Sequence, residues 1–342
     1  MWLKNGRKTC YMSDRCFLSM NHIWRHRKSS FDGKKELRER PKSLSGDDVL
    51  EQLSHVGHVK FGKTQPKKRK RARDFNWTKH SIFFELPNWR TLKLRHDLDV
   101  MHIEKNICDN VLGTLMNIEG KTKDNAKARL DLQVMDIRHQ LHVKHDGNSY
   151  KMPPACYTMS LAKKKDICEF LALVKFPDGY ASNISRRVNI KECRIAGMKS
   201  HDCHIFLQRL LPLALRGSLS DDVCDALIEL SHFFKELCSR TLTKDVLERL
   251  ESQIAITLCK LERIFPPSFF DIMVHLLIHL RERRFLPDQY NIDGCIRLKG
   301  IVFFFSTVNF ALSMFTLYCY FDYHPEFIFH YILIYTEALC EQ

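Results

Sequence analysis

The sequence predicts a mainly α protein: an irregular, basic N-terminal region, then an all-α helical bundle, then an apolar C-terminal helix. Three observations carry this expectation. From residue 98 to 284 apolar residues recur every three or four positions, which is the spacing of one helix face. No stretch in that range alternates apolar and polar residues as a half-buried strand would. Capping residues and prolines stand where those apolar runs would start and stop.

The elements follow in order. Residues 1–80 are basic and rich in turn formers. One helix is predicted there after Ser45, where "SGDDVLEQL" supplies an N-cap, first-turn acids and then Gly57 as a stop. Val100, Ile103, Ile107, Val111, Leu115 and Ile118 form the next stripe, closed by Gly120. Leu130, Val134, Ile137 and Leu141 repeat the pattern. Ile167, Leu171 and Val174 follow a Ser160 cap and end before Pro177. Val223, Leu227, Leu230 and Phe234 follow a Ser220 cap. Leu247, Leu250, Ile254, Leu258 and Leu261 make the cleanest stripe, stopped by Pro266 and Pro267. Ser268 is then expected to cap "SFFDIMVHLLIHL".

At residue 300 the composition changes. Residues 301–321 carry no charge over 21 positions, enough to cross a bilayer as a helix. Arg297 and Lys299 precede them, which would leave the N-terminal bulk in the cytoplasm. The competing expectation is that this Phe-rich tail is a mistranslated stretch foreign to the fold.

Lys and Arg number 54 against 40 Asp and Glu, a net charge of +14, and such an excess points to an anionic partner. The densest cluster is Lys67, Lys68, Arg69, Lys70, Arg71 and Arg73 in "QPKKRKRARDFNW". It suits a nuclear-import peptide or a phosphate-binding arm, and otherwise serves as a charged linker. Trp24, Phe75 and Trp77 stand beside cations, a composition that supports phosphate contact with base stacking but reads no sequence. The 13 cysteines include no CxxC pair, and the N-terminus lacks the apolar core of a signal peptide. Reduced thiols in a cytosolic or nuclear protein are the expectation. No Walker loop, dinucleotide fingerprint or nucleophile elbow occurs, which sets those enzyme classes aside.

The stretch "LRHDLDVMHIEKNICDNVLG" carries the leading candidates for chemistry. Asp99, His102, Asn106, Asp109 and Asn110 fall on one side of the predicted helix, away from its apolar stripe. An Asp-x-x-His pair can hold a divalent ion or orient a water, and Asp99 can equally be the N-cap. His201, Cys203 and His204 in "SHDCH" with His275 and His279, an i, i+4 pair, offer zinc-type donors, but no fixed spacing joins the two groups. Cys10, Cys16, His22 and His26 offer a Cys2His2 set with poor spacing. Packing is the plainer role for all of these, so no metal ligands are assigned.

Long strings of this chain, among them "FDGKKELRERPKSLSG", "LRHDLDVMHIEKNICDN", "KSHDCHIFLQRLLPLALRG" and "LESQIAITLCKLERIFPPSFFDIMVHLLIHL", resemble plant transposases of the CACTA (En/Spm) type. The likeness runs from about residue 2 to about residue 284. It implies a partial, loop-rich segment of the transposase core at 1–66, a basic linker at 67–80 and the helical end of that core at 81–150. A helical transposase-associated domain of unknown function follows at 153–284, then a divergent tail at 285–342. The family resemblance implies a DDE-type, RNase H-like nuclease that sets three carboxylates around two Mg²⁺ ions. Asp99 and His102 match the family's D-x-x-H element, in a supporting role. The early catalytic aspartates lie upstream of where this chain begins, and the likeness stops after "LIHLRERR". The expectation is therefore a truncated, transposon-derived nuclear protein that is catalytically incomplete and has no cofactor of its own. Its expected partner is DNA, bound through the basic run. The alternatives are a helical interaction module that self-associates through the Leu247–Leu261 stripe and a membrane-anchored protein using residues 301–321.

Overall fold

In the computed structural model, residues 1–56, 82–86, 89–91, 98–146, 149–177, 180, 183–239 and 241–280 are described. Gly57, the basic run at 67–73, Phe75, Trp77 and the apolar residues 301–321 lie outside them. The architecture is mainly helical. The N-terminal region holds α1 (Ile23–His26) and α2 (Gly46–Leu53). Then come α3 (Val100–Leu115), α4 (Ala126–Val134) and α5 (Leu161–Leu173). The next helix, α6 (Ser200–Ile205), passes through a π-helical turn at Phe206–Leu210 into α7 (Leu211–Ala214). The long pair α8 (Asp221–Leu237) and α9 (Lys244–Ile264) precedes the single turn α10 (Ile272–His275). Among the described residues three short antiparallel hairpins occur, two of them within 98–284, where the sequence predicts no strand. They pair β1 (Trp2–Leu3) with β2 (Lys8–Thr9), β3 (Lys144–Asp146) with β4 (Ser149–Lys151), and β5 (Val188–Asn189) with β6 (Arg194–Ile195).

Short polar side chains fix the helix starts. Ser45 and Asp48 form a reciprocal capping box on α2. Asp99, Asn125, Ser160, Thr243 and Asp271 each accept a backbone amide at the start of α3, α4, α5, α9 and α10. Each satisfies a donor that has no partner inside its helix.

The apolar stripes then meet. Ile103, Ile107, Val111 and Leu115 of α3 share one core with Val223, Leu227, Leu230 and Phe234 of α8. The α9 stripe joins them: Leu247, Leu250, Ile254, Leu258 and Leu261 are at most 3% exposed. That stripe is buried in the chain's own core. The same core takes in Leu3, Cys10, Leu18 and Phe31 from the N-terminal region. A separate small cluster forms from Val49, Leu53, Phe84 and Trp89. It depends on Gly46, where a Cβ would lie 2.2 Å from the Arg90 carbonyl oxygen.

Two sequence expectations are corrected. The repeat Leu130, Val134, Ile137, Leu141 is not one helix: α4 stops at Val134, which is 58% exposed. Asp136 and Arg138 then adopt positive φ, and Ile137 and Leu141 reach the core from the turn beyond. The cause is Arg138, whose guanidinium donates to the carbonyls of Ile264 (3.1 Å) and Phe265 (2.6 Å) at the end of α9. A cation there also opposes the partial negative charge of a helix C-terminus. The second correction is at α10, which Asp271 caps by accepting from Met273 and Val274 amides. Ser268 instead turns its hydroxyl to the Lys123 carbonyl.

Arginine also orders the irregular N-terminal region. Arg15 is buried under the Phe31 ring and donates to the carbonyls of Arg27 (2.9 Å) and Lys34 (3.1 Å) and to Asp32 (2.6 Å). Arg25, also buried, gathers the carbonyls of Arg15, Leu18 and Arg38. Chain without helix or strand leaves carbonyls that need donors, and a guanidinium supplies several from one point.

Candidate functional site

The two faces of α3 hold different chemistry. On the polar side Asp99 is exposed, and its Oδ1 accepts from the His102 amide at 3.1 Å. Its carboxylate is thus the helix cap. The His102 ring stands 3.2 Å from Asn106 Nδ2, which also donates to the His102 carbonyl at 2.8 Å. Further along, Asp109 pairs with Lys121 at 3.5 Å, and Asn110 donates to Asp271 Oδ2 at 2.8 Å. Asp99 and His102 belong to no group of three metal-ligating side chains among the described residues. A two-magnesium centre needs several carboxylates converging on one point, and this donor set does not fit it. Asp99→Ala is expected to cost about 1 kcal/mol of stability, the ordinary worth of an N-cap, in a urea titration. A cost well above about 2 kcal/mol would mean that the carboxylate holds more than its cap.

On the other side of α3 a carboxylate enters the core. Glu104 is 0% exposed. His204 Nδ1, from α6, donates to its Oε2 at 2.8 Å, and Gln208 Nε2, from the π turn, donates to its Oε1 at 3.0 Å. Cys238, the C-cap of α8, completes the cluster. One ligand atom each from Glu104, His204 and Cys238 lie within 4.8 Å of one another. One helical turn away, Cys108 of α3 and Cys203 of α6 place two buried thiols beside each other.

The other histidines go elsewhere. His201 lies 3.4 Å from the Tyr180 carbonyl. His275 stacks on Tyr11 and faces Asp14 at 3.6 Å, and His279 meets its ring edge-on. Of the sequence-derived zinc donors, only His204 enters a cluster of three ligand types among the described residues. The N-terminal set also disperses: Cys10 and Cys16 are buried thiols, and His22 caps α1. Trp24 packs under Arg263 at 5.4 Å. Sequence reading missed Glu104, Gln208 and Cys238. One signal was available: Glu104 lies one turn from Ile107 and Cys108, a charge on the apolar side of its helix.

Residues 1–56 match the model of Transposase family tnp2. The chain is transposase-related. Residues 237–299 match a domain of unknown function, DUF4218. The D-x-x-H pair, Glu104 and His204 of this transposase-related chain all lie between the two matched segments, and Cys238 lies inside the second. No curated protein and no solved structure matches the chain. Among the described residues no helix is long and apolar enough to cross a membrane.

Proposed function

We propose that this transposase-related chain is of the CACTA (En/Spm) type and acts in the nucleus, binding DNA without cutting it. The observation that carries this reading is the match of residues 1–56 to Transposase family tnp2. The net charge of +14 and the run Lys67, Lys68, Arg69, Lys70, Arg71 and Arg73 supply the phosphate-binding chemistry. Binding without cutting is supported by the commitment of the Asp99 carboxylate to its helix cap.

A gel shift on duplex DNA across a salt series tests the reading. The logarithm of affinity is expected to fall linearly with the logarithm of salt, because each neutralised phosphate releases counterions. Replacing the six cations by alanine should flatten that slope. A slope near zero for the unaltered chain would remove the DNA reading. Nicking of the duplex in magnesium, abolished by Asp99→Ala, would overturn the absence of cutting.

A further inference from the structure

We propose that Glu104, His204 and Cys238 form a structural zinc site, with the Gln208 amide oxygen as fourth ligand. The donors are a carboxylate, an imidazole and a thiol whose ligand atoms lie within 4.8 Å of one another. Zinc accepts all three classes and holds them in a tetrahedron.

Charge favours a divalent ion. A carboxylate, a thiolate and a neutral imidazole sum to two negative charges, which one Zn²⁺ cancels. That matters because Glu104 is fully buried and the His204 side chain is only 15% exposed. A charged cluster at such depth is costly unless neutralised. The sulfur ligand and the imidazole select a borderline-soft ion over magnesium or calcium.

The hydrogen bonding leaves room for the same ion. His204 Nδ1 lies 2.8 Å from Glu104 Oε2 and 3.0 Å from Gln208 Nε2. A ring nitrogen that donates its proton to Glu104 therefore faces a second donor. Zinc in place of that proton removes the conflict: the reversed Gln208 amide turns its oxygen to the metal and gives up its bond to Glu104 Oε1, whose charge the metal then balances. An amide's two ends have nearly the same shape, so the reversal needs no movement of the chain.

The scaffold holds the donors ready. Glu104 comes from α3, His204 and Gln208 from α6 and the π turn after it, and Cys238 from the end of α8. One turn away the buried Cys108 and Cys203 belong to the core that packs α3 and α6. Zinc would staple three helices whose ligands are separated by 100 residues and by a further 34 along the chain. The partial exposure of His204 gives the ion its way in.

The test uses the full 342-residue chain, stripped by a chelator and titrated with Co²⁺ and then Zn²⁺. One cobalt per chain is expected, with a thiolate-to-cobalt charge-transfer band that zinc abolishes, and zinc is expected to raise the melting temperature. Cys238→Ser should lose the band while circular dichroism stays helical. His204→Gln and Glu104→Gln should each weaken zinc binding by at least about 100-fold, since even residues behind the ligands cost 10–100-fold. Cys156→Ser, at an exposed position, is the control that should keep the band. If Cys238→Ser does not fold, His204→Gln and the isosteric Glu104→Gln carry the test alone. No band with stoichiometric cobalt, a band that persists in Cys238→Ser, or unchanged zinc affinity in His204→Gln and Glu104→Gln would each overturn the proposal.

Discussion

Asp124→Ala is expected to cost the fold about 3–5 kcal/mol, because it strands a buried guanidinium. Arg129 is buried and grips Asp124 with two nitrogens, the Nη2–Oδ2 bond being 2.6 Å. Its Nη1 donates to the Leu141 carbonyl at 2.9 Å. The Tyr157 hydroxyl, fully buried, donates to Asp124 Oδ2 at 2.8 Å. The Tyr157 ring lies 4.9 Å from Phe265, just past the end of α9. One carboxylate thus ties the start of α4, the turn after it and the segment past β4 to the core. Remove it, and Arg129 keeps its charge with no anion and little water to receive it. Tyr157→Phe removes one hydrogen bond to a charged group and is expected to cost only about 1.5–3 kcal/mol. The double variant Asp124→Leu with Arg129→Met should recover much of the loss, because no charge is then left alone. Urea unfolding midpoints of the four proteins decide it. An Asp124→Ala cost below about 1 kcal/mol would show that water reaches Arg129 after all.

The helices were legible because they rest on local pattern. Leu247 to Leu261 in α9 and Val223 to Phe234 in α8 each announce their buried face through spacing, and Ser45 and Ser160 announce the starts of α2 and α5 through capping chemistry. What failed was non-local. Arg138 ends the apparent repeat after Val134 because its carbonyl partners are about 125 residues away, at Ile264 and Phe265. Arg15 and Arg25 belong to a stretch read only as basic, yet both are buried and serve as frames for carbonyl-rich chain. A guanidinium is placed inside only by the acceptors that surround it, and these belong to the fold. The zinc-type cluster failed for the same reason. His204 was visible as a candidate, but its partners Glu104 and Cys238 sit on other helices at no characteristic spacing. On α3 the polar face drew notice and the buried Glu104 on the opposite side did not, although a carboxylate among Ile103, Ile107 and Cys108 is the rarer observation.

Glu262→Gln is expected to make the protein more resistant to alkaline conditions, although it removes a buried charge-bearing group. Asp14 and Glu262 are both buried side by side, and Glu262 Oε1 accepts from the Ser13 (2.8 Å) and Asp14 (3.2 Å) amides. Burial raises Asp14 to about 7, and burial with the neighbouring Asp14 raises Glu262 to about 8. Both groups therefore hold a proton in the folded chain at pH values where the unfolded chain has released it. The contribution is fully present below the ordinary carboxyl values near 4 and is lost as pH rises through about 7 to 8. For one carboxyl carried across that window the loss is on the order of 4 kcal/mol. Arg15 favours the ionised form of Glu262, Arg138 and the thiols of Cys10 and Cys259 also stand near the pair, and His275 lies 3.6 Å from Asp14. Burial lowers the His275 value, so its own contribution has the opposite sign and favours the fold as pH rises. Glutamine keeps an oxygen that accepts from the Ser13 and Asp14 amides and cannot ionise. Unfolding midpoints measured from about pH 5.5 to about pH 9, where ordinary carboxylates are already ionised, should fall for the unaltered chain and fall much less for Glu262→Gln. The difference between the two curves cancels His275, which is common to both. Parallel curves would assign the pH dependence to groups other than this pair.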